Sequence, residues 1–266
     1  MYNFSSINSK KLKMQSLILK ILSIVIMILV SSEIYAQKIE GSIRYLMTEN
    51  YVKQLAAIDY LSKQAIDRNA YVYGNRSEYK SYSQLYLNAF QTKYEDSEES
   101  PNKDVSTWSY RKDEYTISRN YDKNTLHDII DLQGKTLIIE DSLHAPKWKI
   151  LNEMKEIAGH VCMNAVMTDT VKKQKVEGWF ALDIKNNGGP ERFFGLPGLI
   201  LEVNINNGGM IITADKIEEK KLTTELDLPK KIKGKKIKEI DYYNTIKKLY
   251  EEKRKMEQPL FYYMRY

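Results

Sequence analysis

The sequence contains very little cysteine and histidine, and these scarcities limit the chemistry open to it. Cys162 is the only cysteine among 266 residues, so no disulfide can form within one chain. Stability must therefore come from burial and hydrogen bonding. Besides His160, the only histidines are His127 and His144, so a closed metal site at His160 and Cys162 would have few further ligands to draw on.

The sequence also lacks an apolar run long enough to cross a membrane. The longest one, Ile21–Val30, contains a single serine and is well short of the roughly 20 residues that span a bilayer. It follows a basic segment and precedes the small residue Ala36, which is the order of a secretory signal. We therefore expect a signal peptide over residues 1–36, cleavage between Ala36 and Gln37, and a periplasmic or secreted mature protein. The start codon is Met1 or Met14, because each begins a complete signal.

The positive charge belongs partly to that leader. Its removal takes away four lysines and one glutamate, and the formal net charge falls from +6 to +3. This small excess argues against nucleic acid as a partner. The basic run Lys230–Lys238 fits either a solvated approach to the last helix or a surface for an acidic partner such as anionic lipid.

The hydrophobic pattern predicts an α+β fold rich in strands. Short alternating segments follow one another from Tyr115 to Ala214, with turns at Gln133–Lys135 and Asn206–Gly209. They predict a predominantly antiparallel, curved sheet of about 8–10 strands. Apolar residues at helical spacing predict one helix over residues 51–68, capped by Thr48 or Asn50, and another over 239–256.

We expect residues 37–266 to form a single domain. A charged stretch over about 93–106 is nearly devoid of apolar residues and predicts a disordered loop. Tyr71–Gly74 and the tyrosines that follow predict one or two further strands. The C-terminal helix is expected to have Ile240, Tyr243, Ile246 and Tyr250 on its apolar side.

No recognised catalytic motif is present. The sequence has neither a phosphate-binding Gly-Lys-Ser/Thr segment nor a Gly-x-Ser-x-Gly nucleophile elbow. His160 and Cys162, two residues apart on a strand, would face the same way and are the candidate metal or thiol site. The alternative is that Cys162 is a small buried hydrophobe, and on this basis we expect no cofactor.

One segment carries a family resemblance. Residues 195–200 read Gly195, Leu196, Pro197, Gly198, Leu199 and Ile200, and Trp148, Trp179-Phe180 and Cys162 lie at supporting positions. In this respect the chain resembles the GLPGLI family, exported proteins of Bacteroidota without a settled biochemical function. The resemblance implies a cell-envelope address and leaves the activity open.

The motif itself is interpreted as a structural turn. Pro197 and Gly198 suit the centre of a type II turn, with Gly198 at positive φ, and Leu199-Ile200-Leu201 begins a strand buried on both faces. A loop that binds an anion or ligand is the alternative. We expect a non-enzymatic binding or accessory protein for a hydrophobic ligand, peptide or outer-membrane partner. The alternative function is an envelope hydrolase or a redox or metal-binding protein centred on Cys162 and His160.

Overall fold

Twelve strands and three helices make up the described part of the chain. The computed structural model describes residues 39–73, 78–101, 115–229 and 231–259, so the signal peptide and its cleavage pair Ala36/Gln37 lie outside the described residues. In chain order the elements are β1 (Gly41–Asn50), α1 (Tyr51–Ala56), α2 (Lys63–Tyr73), β2 (Glu78–Leu87), β3 (Gln91–Asp96), β4 (Tyr115–Asn120), β5 (Thr125–Leu132), β6 (Lys135–Ser142), β7 (Lys149–Ile157), β8 (His160–Asp169), β9 (Gln174–Ala181), β10 (Ile200–Ile205), β11 (Met210–Glu219), β12 (Lys235–Ile237) and α3 (Glu239–Lys255).

All twelve strands belong to one sheet, which is built from two antiparallel meanders. Strands β1 to β6 follow one another across one half of the sheet, and β7 to β11 follow one another across the other half. The halves join where β1 pairs antiparallel with β11. Strand β12 then pairs in parallel with β6 at the outer edge. The predicted β-rich, mostly antiparallel sheet is confirmed, whereas the predicted count of 8–10 strands is too low because β3 and β12 were not predicted.

Strand β3 also corrects the position of the predicted loop. Residues 93–96 pair with β2 and β4 instead of forming the start of a charged loop. The side chains of Lys93 and Tyr94 are buried, so this charged segment has an inward face. The Lys93 ammonium lies 3.2 Å from Glu95 Oε2 and donates to the Asp227 backbone carbonyl at 3.4 Å, so the buried charge is paired. Residues 102–114, the remainder of the predicted loop, lie outside the described residues.

The N-terminal helical region is two helices, and the single predicted helix over 51–68 is wrong. Asn50 caps α1 as expected, with its Oδ1 accepting a hydrogen bond from the Lys53 N–H at 2.9 Å. The first helix ends at Ala56, and the second begins at Lys63. Ser62 precedes the second helix, and its hydroxyl accepts a hydrogen bond from the Ala65 N–H. Tyr71–Tyr73 belong to this second helix, and the strand predicted there is also wrong.

The C-terminal helix lies where the sequence predicts, but it packs through a different stripe. Tyr242, Ile246, Leu249 and Tyr250 are buried in the main core, whereas Ile240 is 63% exposed. Two of the predicted apolar positions, Ile246 and Tyr250, are thus correct. No helix in the described segments is both long and apolar enough to pass through a membrane.

The segment Gly195–Ile200 is a tightly packed entry into β10. The positive φ falls on Gly195, at +90°, and not on Gly198, so the predicted geometry for the turn is wrong. A Cβ on Gly198 would lie 1.9 Å from the carbonyl oxygen of Ala181, and glycine is therefore required for close approach of the two backbones. The predicted two-sided burial of Leu199, Ile200 and Leu201 is confirmed, since all three are fully buried.

Candidate functional site

A small cleft, with a volume of about 70 Å³, lies where the break between α1 and α2 faces two hairpins and helix α3. Polar, charged and aromatic side chains share its wall with a few apolar ones. The residues that line it are Glu49, Gln54, Ala57, Ile58, Asp59, Tyr60, Lys172, Lys173, Gln174, Ile205, Asn206, Gly209, Met210 and Tyr250. Clefts that combine apolar walls with a few converging polar groups are typical of small-ligand sites.

Two tyrosines and a carboxylate form one side of the cleft. The rings of Tyr60 and Tyr250 meet edge to face, with centroids 5.5 Å apart and planes at 85°. The Tyr250 hydroxyl donates to Asp59 Oδ1 at 2.8 Å, and this bond is the main cause of the lowered pKa of Asp59. Lys173 Nζ lies 3.6 Å from Asp59 Oδ2. Asp59 is thus held as a carboxylate beside an aromatic surface.

Amide side chains and a second carboxylate lie nearby in the cleft. Gln54 Nε2 donates to the Gly209 carbonyl at 3.0 Å and approaches Glu49 Oε2 at 3.5 Å. Asn206 Oδ1 accepts from the Lys175 N–H at 3.1 Å. The Oε1 atom of Gln174 is buried and has no hydrogen-bond partner within the described ranges. An unsatisfied buried acceptor of this kind calls for a physical explanation.

The cleft also contains a lysine with an unusual pKa. Lys172 lies on the turn between β8 and β9, and burial of its ammonium lowers its pKa to about 8, an effect opposed by the nearby Asp169 and Glu191. At neutral pH this group is charged, and it becomes neutral at mildly alkaline pH. The cleft thus combines acceptors, donors and apolar surface, which are the groups that recognise a polyhydroxylated ligand.

Sequence reasoning did not find this cleft. Its residues come from four separate parts of the chain, 49–60, 172–174, 205–210 and 250, and none belongs to a recognised motif. The one local signal was Ser62, a favoured N-cap residue in the middle of the predicted helix. A second helix start at Ser62 implies a break before it, and that break places Asp59 and Tyr60 on the wall of the cleft.

A second cluster of charged side chains is buried and has a structural role. Asp128 is fully buried and accepts hydrogen bonds from both Nη atoms of Arg119, and Arg192 Nε lies 3.1 Å from its Oδ2. Arg192 Nη2 continues to Glu239 Oε1 at 2.7 Å, and Glu239 contacts His144 at 3.1 Å. These pairs connect β5, the β9–β10 connection and the start of α3. Because the charges neutralise one another in a closed space, the network is suited to positioning elements.

His160 and Cys162 do not form a reactive pair. Cys162 is fully buried, and burial raises the pKa of its thiol to about 12, so the thiolate needed for nucleophilic attack does not form near neutral pH. The His160 ring faces Asp183, with Nδ1 2.8 Å from Oδ2. In the part of the chain that the structure describes, no three His, Cys, Asp or Glu side chains are grouped to hold a metal ion.

The described part of the basic run is exposed and is only partly paired with the neighbouring strand. Lys236 lies 3.1 Å from Glu140 and Lys238 lies 3.7 Å from Asp141, so two of its charges are paired with the neighbouring strand β6. Lys235–Ile237 forms β12. The remaining described lysines, Lys231, Lys233 and Lys235, are exposed. The structure therefore fits a solvent-exposed segment leading into the last helix better than it fits a binding surface for an acidic partner.

Residues 74–244 match the family model described as the N-terminal domain of N-glycanase peptide, PNGase F-II type. Two solved structures of PNGF-II, in different space groups, share the fold, with TM-scores of 0.52 and 0.53 and sequence identities of 15% and 16%. Each match covers 78% of this chain but only 32% or 33% of PNGF-II, so the chain spans about a third of that protein's length. No curated protein sequence matches the chain.

These findings overturn the resemblance to the GLPGLI family. The matched family model covers residues 74–244 and includes Gly195–Ile200, so the six-residue string does not define the family of this chain. The structure gives the reason: glycine at 195 and 198 and apolar residues at 196 and 199–200 are demanded by local packing. The inferred Bacteroidota family context is withdrawn with the resemblance.

The expected function is corrected as well. A non-enzymatic binding protein for a hydrophobic ligand, peptide or outer-membrane partner does not agree with a match to an N-glycanase domain. The alternative of a hydrolase or redox protein centred on Cys162 and His160 fails because Cys162 is buried and its thiol stays protonated.

Proposed function

Because this chain belongs to the family of N-glycanase N-terminal domains of the PNGase F-II type, we propose that it takes part in the hydrolytic processing of N-linked glycans, and that its polar and aromatic cleft holds part of the glycan. The family membership supports the substrate class. The composition of the cleft supports its location on the molecule.

The observation that carries the proposal is the wall formed by Asp59, Tyr60 and Tyr250. A sugar ring presents hydroxyl groups at its rim and C–H bonds on its face. Tyrosine offers a large apolar surface with a polar tip, and a carboxylate accepts two hydroxyl hydrogens at once. The bond from Tyr250 to Asp59 fixes that carboxylate in place before any ligand arrives, which reduces the entropy lost on binding.

We also propose that the protein acts after export. The segment 1–36 has the order of a secretory signal, and N-linked glycoproteins are chiefly found outside the cytoplasm. The absence of intrachain disulfides fits a fold that depends on its twelve-stranded sheet instead. N-terminal sequencing of the protein recovered from the exporting cell tests this part, and a mature chain that still begins at Met1 or Met14 would contradict it.

The central test compares an N-glycopeptide with the same peptide lacking its glycan. We expect calorimetric titration to show at least about tenfold tighter binding of the glycopeptide. Asp59→Asn and Tyr60→Leu should each weaken that binding at least about fivefold, since each removes a group from the cleft. Asp122→Asn, in the exposed turn between β4 and β5, is the matched control and should leave it unchanged.

Mass spectrometry of the same mixtures reports whether glycan is released from the peptide. Release that is lost in Asp59→Asn and kept in Asp122→Asn would support a direct part in hydrolysis. Equal affinity for the two peptides, with no release of glycan, would contradict the proposal.

A further inference from the structure

Asn164 on strand β8 holds two carboxylates together, far from the groups used so far. Its Nδ2 atom donates to Glu153 Oε2 at 2.9 Å and to Glu177 Oε1 at 3.0 Å. Glu153 belongs to β7 and Glu177 to β9, the two strands that flank β8. Neither carboxylate has a salt bridge to a described cationic side chain, and Lys155 of β7 pairs with Glu202 instead, at 2.6 Å. Two negative groups therefore meet at one neutral amide.

The pairing of β7 with β8 is irregular at this point. The register shifts between Ile150 and Met154, so Glu153 lies within the irregular stretch. Asn164 lies opposite that stretch, between the partners of Ile150 and Met154 on β8. Irregularities of this kind redirect side chains and are common beside functional sites. Here the irregularity brings a carboxylate of β7 to the buried amide of Asn164.

The oxygen of the same amide lacks a partner. Asn164 is 2% exposed, and its Oδ1 atom is buried without a hydrogen bond to any described residue. Buried acceptors left in this state are rare and costly. The last torsion of an asparagine side chain is broad and roughly twofold, so half a turn exchanges the oxygen and the nitrogen. After that turn, Oδ1 lies beside Glu153 and Glu177, and oxygen ligands from three adjacent strands converge.

Oxygens that converge in this way repel one another unless a cation lies between them. Ca²⁺ binds carboxylate and amide-carbonyl oxygens, takes about six to eight of them and tolerates irregular geometry, whereas Mg²⁺ demands a near-ideal octahedron. Glu153 is exposed, so water can supply the remaining ligands. We propose that Glu153, Glu177 and Asn164 form a calcium site that fastens the edge strand β7 to β8 and β9.

The site goes beyond the proposed function, because it involves no glycan and none of the residues that line the cleft. Two carboxylates and one amide provide few charged ligands, and affinities of extracellular calcium modules lie at about 10⁻⁴–10⁻³ M. We therefore expect one Ca²⁺ to bind per chain with a Kd in that range.

Calorimetric titration of CaCl₂ into the full chain, first treated with a chelator and dialysed, tests the site. We expect MgCl₂ to bind at least about tenfold more weakly, and Glu153→Gln and Glu177→Gln each to weaken Ca²⁺ binding at least about tenfold. Asn164→Asp adds a third carboxylate and should tighten binding at least about fivefold, a gain that a purely structural asparagine would not give. Glu156→Gln, an exposed glutamate on the same strand, is the matched control and should leave the affinity unchanged.

Thermal unfolding provides a second measurement, and circular dichroism establishes that each variant is folded. CaCl₂ at about ten times the Kd should raise the Tm by about 3 °C relative to NaCl of equal ionic strength. Absence of saturable Ca²⁺ binding below about 10 mM, or equal effects of Glu153→Gln and Glu156→Gln, would overturn the proposal. If one glutamine variant does not fold, the other and Asn164→Asp keep the test decisive. Since no glycan is present, failure here leaves the proposed function standing, and a glycopeptide that does not bind leaves the calcium site standing.

Discussion

Lys172 provides a quantitative test of the cleft, because burial lowers the pKa of its ammonium to about 8 from an ordinary value of 10.5. The unfolded chain therefore holds this proton more tightly than the folded chain does. Between pH 8 and 10.5 unfolding takes up a proton, and the free energy of unfolding should rise with pH. The full pKa difference corresponds to a change of about 3 kcal/mol in the free energy of unfolding. Because the side chain still reaches solvent, we expect this change to be about 1–3 kcal/mol.

The substitution Lys172→Met removes the ammonium and keeps a flexible side chain of similar length. We expect the variant to be more stable than the wild type at pH 7 by about 1–3 kcal/mol, and this advantage should shrink by at least about 1 kcal/mol at pH 9.5. Urea unfolding at the two pH values measures both quantities. The upper pH is chosen below 10, where tyrosines of the unfolded chain begin to ionise.

Lys173→Met is the control, because Lys173 is the neighbouring residue and both it and its partner Asp59 are about half exposed. Its effect should stay within about 0.5 kcal/mol at either pH. A Lys172→Met variant that is less stable than the wild type at pH 7, or a stability difference that does not change with pH, would show that the ammonium is well solvated and would refute the reasoning.

Three further substitutions or treatments test the packing. Asp128→Asn removes the counterion of buried Arg119 and one of the two carboxylates that pair with Arg192, and it should lower the free energy of unfolding by about 3–5 kcal/mol, whereas Asp122→Asn should change it by less than about 0.5 kcal/mol. Gly198→Ala forces a Cβ against the Ala181 carbonyl and should lower the free energy of unfolding by about 3 kcal/mol or more in the same urea experiment. A near-neutral result would mean that the two backbones separate easily. Cys162 should resist iodoacetamide at pH 8 until urea unfolds the chain, and rapid labelling of the folded protein, read by mass spectrometry, would contradict its burial.

Most of the sheet could be predicted because its information is local. Strands β4 to β11 alternate or run apolar, and the turn at Asn206–Gly208 has the positive φ values that Asn and Gly accept readily. Strand β3 escaped prediction because Lys93 is buried there beside Tyr94, with its charge paired to Glu95 at 3.2 Å. A charged sequence of this kind is typical of an exposed segment, and it was therefore assigned to a loop.

The helices show the same limit. The apolar stripe of α3 was predicted through Tyr243, but Tyr242 is the more buried of the two. The guanidinium of Arg192 lies over both rings, at 4.7 and 5.2 Å, so the orientation of the helix depends on a buried arginine from a distant loop. The cleft depends on long-range assembly even more, since Asp59 and Tyr250, which share a hydrogen bond, lie 191 residues apart in the chain.

The pairing of β1 with β11 has a consequence for how the chain folds. Each meander is made of neighbouring hairpins and can form early, whereas Glu49 must find Met210, far along the chain, before the halves join. Closing a loop of that length is entropically costly and slows folding. Until it closes, β1 and β11 are both unpaired edges about ten residues long. We therefore expect the newly made chain to be most prone to aggregation at these two strands, and a chaperone that shields them would help the protein most.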